Sequence, residues 1–125
     1  MTIESGNDET LVTLSSMRFH ARIGVLPHEA EIAQSVEVDL VLWVTRAHGE
    51  IGPHNILDYR HAYDTVSEVV TEGHIRYLEE AAERIAEKAL ALPLVRRARV
   101  SVRKPNVSLP GPLAYAEVAL ERVRD

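Results

Sequence analysis

A chain of 125 residues with 46% apolar and 26% charged side chains is long enough to bury one core, too short for two, and too apolar to remain disordered. Its formal charge of −5 supplies no global basic field for nucleic acid or an anionic membrane, and the lack of cysteine excludes a disulfide framework and thiolate metal sites. No run approaches the roughly 18 consecutive apolar residues of a membrane span, so a soluble protein in a reducing, cytoplasmic setting is expected.

Residues 1–9 carry Glu4, Asp8 and Glu9 with no apolar run behind a basic start, which fits neither a signal nor a transit peptide. A flexible tail is expected there, ahead of a single domain over 10–125. From Leu11 to Ile23 apolar residues alternate, first at Val12 and Leu14 and then, after Ser15-Ser16, at Met17, Phe19, Ala21 and Ile23. Period two with a change of parity predicts a strand with a bulge at the serines. Gly24 and Pro27 interrupt it and open a loop. A second strand follows Gln34, with Val36, Val38, Leu40, Leu42 and Val44 alternating against Glu37, Asp39 and Thr45. Gly49, Gly52 and Pro53 make the stretch to Leu57 another loop.

At Asp58 the period becomes helical. Tyr59, Ala62, Tyr63, Val66, Val69 and Val70 share one face, Asp58 is placed to cap and Gly73 to terminate. A second helix runs from about Tyr77 to Leu92, with Leu78, Ala81, Ala82, Ile85 and Ala89 on one stripe, and Pro93 stops it. Alternation returns at Ala98, Val100 and Val102, and again at Ala114, Ala116, Val118 and Leu120. The order β-β-α-α-β-β predicts an α+β fold, a four-stranded antiparallel sheet with two helices on one face. Such a sheet leaves two long edges whose unpaired backbone groups favour association with further copies.

Four segments gather polar groups where elements end. They are the loop from Gly24 through Glu29 to Gln34; Leu57-Asp58-Tyr59 at the first helix; Leu78-Glu79 at the second; and Lys104-Pro105 ahead of Pro110-Gly111. Each alone has an ordinary structural explanation: solvated loop carboxylates, a cap beside a core aromatic, acids that complement a helix dipole, and a solvent-exposed lysine. Six histidines, His20, His28, His48, His54, His61 and His74, are scattered singly and do not form a metal set.

Jointly and in register, Gly24, Glu29, Gln34, Tyr59, Leu78, Glu79 and Lys104-Pro105 resemble the pattern of dihydroneopterin aldolase, from about Leu11 to the end of the chain. The resemblance implies the ββααββ tunnelling fold, in which four subunits join edges into a barrel, two such rings stack as an octamer, and a pterin binds between neighbours. It implies cleavage of 7,8-dihydroneopterin with no metal, no Schiff base and no cofactor. The roles it implies are Glu79 as the carboxylate that anchors the pterin, Leu78 and the backbone near Leu57 as ring contacts, Lys104 as acid/base, Tyr59 as proton relay, and Glu29 as partner of the substrate hydroxyl or of a water. Ile23 and Ala33 replace a histidine and a glycine common in the family. Ile23-Gly24 and Tyr59-Arg60 lean toward a sister enzyme, dihydroneopterin triphosphate epimerase, and a ring-forming pterin or purine binder without catalysis is the non-enzyme alternative.

Overall fold

The structure, a computed structural model, describes residues 7–47 and 49–125. The tail expected at 1–9 lies outside the described residues as far as position 6, while 7–9 already belong to a strand; His48 also lies outside them. In chain order the elements are β1 (Asn7–Ile23), α1 (Pro27–Glu31), β2 (Gln34–Ala47), α2 (Tyr59–Thr71), β3 (His74–Ile75), α3 (Leu78–Leu90), β4 (Val95–Lys104) and β5 (Ala116–Val123).

The fold is α+β, but the sheet is not the expected four-stranded antiparallel one. It has five strands in the order β3-β1-β2-β4-β5 and is mixed, because β3 pairs parallel to the end of β1, Arg22 opposite His74 and Ile23 opposite Ile75. Gly73 ends α2 at φ +58, a left-handed turn open to glycine without strain, and the chain then re-enters beside β1. Two residues carry no readable alternation, which is why periodicity misses this strand. The expected loop after β1 likewise contains a helix, α1, started by Pro27, whose fixed φ suits a first helical position.

The expected bulge in β1 is present. Between Leu14, opposite Leu40, and Met17, opposite Val38, β1 spends one residue more than β2. Ser16 takes φ +54 there, and its N–H donates to Asp39 Oδ1 at 2.6 Å. One face of the sheet, through Phe19, Val38, Leu40, Leu42, Val100 and Val102, packs on Val66 and Val70 of α2 and Ala82 and Ile85 of α3. On the opposite face Arg103 bridges Asp39 at 2.7 Å and Glu37 and Glu117 at 3.1 Å each. Its guanidinium, hydrogen-bonded to Asp39, holds that carboxyl below the usual carboxylate range.

β3 shields only Arg22 and Ile23 of β1, so most of that long edge, and the outer edge of β5, have no partner strand among the described residues. No helix among the described residues is long and apolar enough to cross a membrane.

Candidate active site

Lys104 is the last residue of β4. Strand alternation puts it on the same side as Val100 and Val102, so it continues the core stripe and is only 6% exposed. A buried ammonium needs compensating acceptors. Its Nζ donates to the Ile23 carbonyl at 3.1 Å and makes an ion pair with Glu29 Oε2.

Glu29 is the third residue of α1 and is itself 8% exposed. Its other oxygen, Oε1, accepts the Leu26 N–H at 3.1 Å. Burial pushes the Glu29 carboxyl up, but the hydrogen bonds from Lys104 and Leu26, with the charges of Lys104 and His28, pull harder and hold it below its ordinary value. The pair is therefore ionic at neutral pH on the glutamate side.

Gly24 makes this pairing sterically possible. Its φ is +136, and a Cβ built there would fall on the Glu29 carboxylate. Its backbone is bound to β3 from both sides: the Gly24 N–H donates to the Ile75 carbonyl at 2.8 Å, and the Gly24 carbonyl lies 2.6 Å from His74 Nε2. Gly24→Ala is expected to displace Glu29 and to cost about 1–3 kcal/mol in backbone strain. A denaturant melt with an unchanged slope but an earlier midpoint is the check; wild-type stability would show that the turn tolerates a side chain.

Because β3 leads through Arg76 and Tyr77 into α3, the same clasp brings the start of that helix to the pair. Gly24, Glu29, Arg76, Leu78, Glu79 and Lys104 line one cleft of about 270 Å³. Tyr77, the residue before the first helical turn, supplies no side-chain cap. The first backbone N–H groups of α3 therefore lack the usual side-chain acceptor beside the exposed Glu79 carboxylate. The cleft thus offers main-chain donors and an anionic acceptor side by side, a few residues in space from a buried ammonium. Gln34, at the start of β2, has a buried Oε1 with no hydrogen-bond partner among the described residues.

Four of the six expected site residues, Glu29, Leu78, Glu79 and Lys104, thus come together. Leu57 and Tyr59 do not join them. Leu57 lines another cavity, of about 310 Å³, with Val12, Val44 and Ile56. Tyr59, in the first turn of α2 behind the Asp58 cap, is 62% exposed instead of lying in the core stripe. The run of β1 from Val12 to Ile23 separates the two cavities, on the order of 30 Å at strand spacing. Sequence reasoning did not single out Arg76 or His74, which no local pattern marks. Among the described residues no three histidine, aspartate or glutamate side chains gather as a metal site.

Residues 12–121 match the family model for dihydroneopterin aldolase, FolB. The dihydroneopterin aldolase of Staphylococcus epidermidis is 30% identical over 118 residues, which cover 92% of this chain and 96% of that protein. That of Bacillus subtilis is 29% identical over 116 residues, covering 90% and 95%. Among solved structures, a dihydroneopterin aldolase from Burkholderia thailendensis bound to guanine superposes with a TM-score of 0.79 at 27% identity, over 94% of this chain and 93% of its own. A match running the length of the fold, with the glutamate, leucine-glutamate and lysine positions gathered in one cleft, means that this chain belongs to the dihydroneopterin aldolase family.

Proposed function

We propose that the protein cleaves the C1′–C2′ bond of 7,8-dihydroneopterin, releasing 6-hydroxymethyl-7,8-dihydropterin and glycolaldehyde, as a cytoplasmic step of folate biosynthesis. The observation that carries this reading is the buried Lys104–Glu29 pair in the same cleft as Glu79 at an uncapped helix start. A pterin presents two adjacent N–H donors beside a carbonyl oxygen. A carboxylate accepts the two donors in parallel, and a free main-chain N–H of the first turn of α3 can donate to the oxygen. Guanine, the ligand of the Burkholderia relative, has the same donor-donor-acceptor edge.

With the ring held by Glu79, its C6 side chain extends toward Lys104 and Glu29. One proton leaves the 2′-hydroxyl, through Lys104 directly or through a water held by Glu29, as the C1′–C2′ bond breaks. The bonding electrons pass into the ring's own N5=C6 imine to give an enamine, so the substrate carries its electron sink. Neither a metal nor a lysine Schiff base is needed in this route. Protonation of C1′ then completes the product. Return of the rotated aldehyde before release would epimerise C2′, giving the monapterin isomer as a side product.

Completion of the site calls for a second copy. The open edges of β1 and β5 suit edge-to-edge pairing into a four-subunit barrel, with two rings stacked as an octamer. In that assembly the Leu57 backbone and Tyr59 of the partner subunit reach the cleft, and the tyrosine hydroxyl relays the proton to C1′. Tyr59→Phe is expected to fold and melt as the wild type, since the ring is exposed, but to release product about 100-fold more slowly. Unchanged turnover would remove the hydroxyl from the mechanism.

A phosphorylated substrate, and with it the epimerase reading, is favoured by one observation. Arg76 lines the cleft, stacks over the Tyr77 ring at 5.7 Å and makes no ion pair among the described residues. Incubation with 7,8-dihydroneopterin and separately with its triphosphate, with products identified by mass, decides both questions. Glycolaldehyde from the free substrate supports the aldolase; epimer alone, from the triphosphate alone, overturns it.

A further inference from the structure

We propose that His74 is a positioning residue: by holding the Gly24 carbonyl it fixes the turn that presents Glu29 to Lys104, and so sets the placement of the proton-transfer pair relative to the pterin anchor. The inference rests on the aldolase reading of the same cleft.

The observations form one chain of contacts. A carbonyl oxygen only accepts, so at 2.6 Å from Gly24 O the Nε2 of His74 must carry the hydrogen. This selects the Nε2–H tautomer in the neutral ring. The preceding peptide is fixed at both ends, the Ile23 carbonyl accepting from Lys104 Nζ at 3.1 Å and the Gly24 N–H donating to Ile75 O at 2.8 Å. The next peptide, Gly24–Val25, is held through its carbonyl by the His74 side chain. One residue further on, the Leu26 N–H donates to Glu29 Oε1 at 3.1 Å. A rotation of the Gly24–Val25 peptide would therefore be felt at Leu26 and through it at the carboxylate. Gly24 has no Cβ and lies at φ +136, so its own torsions offer little resistance to such a rotation.

His74 is also half of the two-residue strand that ties β1 to the start of α3. It thus links the segment carrying Glu29 with the one carrying Leu78 and Glu79, although it is exposed and does not line the cleft. Reacting groups need placement finer than an ångström, so a contact remote from the chemistry can alter turnover without altering ring binding.

The test compares His74→Phe, which keeps a planar ring without the donor, with His74→Gln, whose amide nitrogen reaches about as far as Nε2. Glycolaldehyde release from 7,8-dihydroneopterin gives kcat and KM, and fluorescence titration with unsubstituted pterin gives the affinity of the ring alone. His74→Phe should lose roughly tenfold in kcat, the scale of one hydrogen bond, while its pterin Kd stays within about twofold. His74→Gln should recover to within about threefold of the wild-type kcat. Wild-type kcat in His74→Phe, a pterin Kd that weakens in step with kcat, or failure of glutamine to restore turnover or fold would each overturn the proposal. A wild-type protein that releases no glycolaldehyde is a different result, and sinks the aldolase reading itself.

Discussion

Lys104→Ala should lose most of its turnover, on the order of 10³-fold, the contribution of a positioned acid/base group, while still binding pterin through Glu79. Stability should fall as well. Glu29 is 8% exposed and held ionised by Lys104, and removing one partner of a buried pair leaves an uncompensated charge, at a cost of about 3–5 kcal/mol. The two effects separate in the double variant Glu29→Gln/Lys104→Ala. Replacing the carboxylate by a neutral amide removes the stranded charge, so the melting midpoint should recover in part while turnover does not. Single-turnover product formation and pterin titration on the same preparations provide the readout. A Lys104→Ala protein that turns over at the wild-type rate would remove the lysine from the chemistry. Recovery of turnover in the double variant would assign it to scaffolding alone.

Glu79→Gln should act in the opposite sense, weakening pterin binding by roughly 10- to 100-fold while leaving the fold almost untouched. The carboxylate offers two acceptors to the two ring donors; an amide offers one and turns an N–H toward the second donor. Loss of a charge-assisted hydrogen bond is worth about 1.5–3 kcal/mol, enough for the expected fall in affinity. Glu79 is exposed at the first turn of α3 with no ion pair among the described residues, so its removal should move stability by no more than about 0.5 kcal/mol. Pterin titration followed by fluorescence, beside a thermal melt, checks both halves. Wild-type affinity in Glu79→Gln would place the ring elsewhere in the cleft.

Some of the fold and of the site is legible in the amino-acid sequence alone. Asp58 caps α2, its side chain accepting the Arg60 N–H at 3.0 Å, as the Asp-to-apolar pattern implies. The parity change at Ser15-Ser16 marks the bulge. The parity of β4 carries a signal about Lys104 as well. Lys104 shares the side of Val100 and Val102, and a lysine extending an apolar stripe is a sign of a buried, paired ammonium, not the solvent-exposed one that composition suggests.

Alternation and helical period arise from each residue's own preference for core or water, so the sequence by itself determined four long strands, two long helices, which face of each is apolar, and the family. Pairing between distant segments has no such local trace. The parallel contact of β3 with β1, the placement of Gly24 against His74 and the meeting of Glu29 with Lys104 are contacts between segments some fifty to eighty positions apart, and only the tertiary structure decided them. It also decided that Leu57 and Tyr59 stand away from the cleft in one chain, because a strand as long as β1 holds its two ends apart.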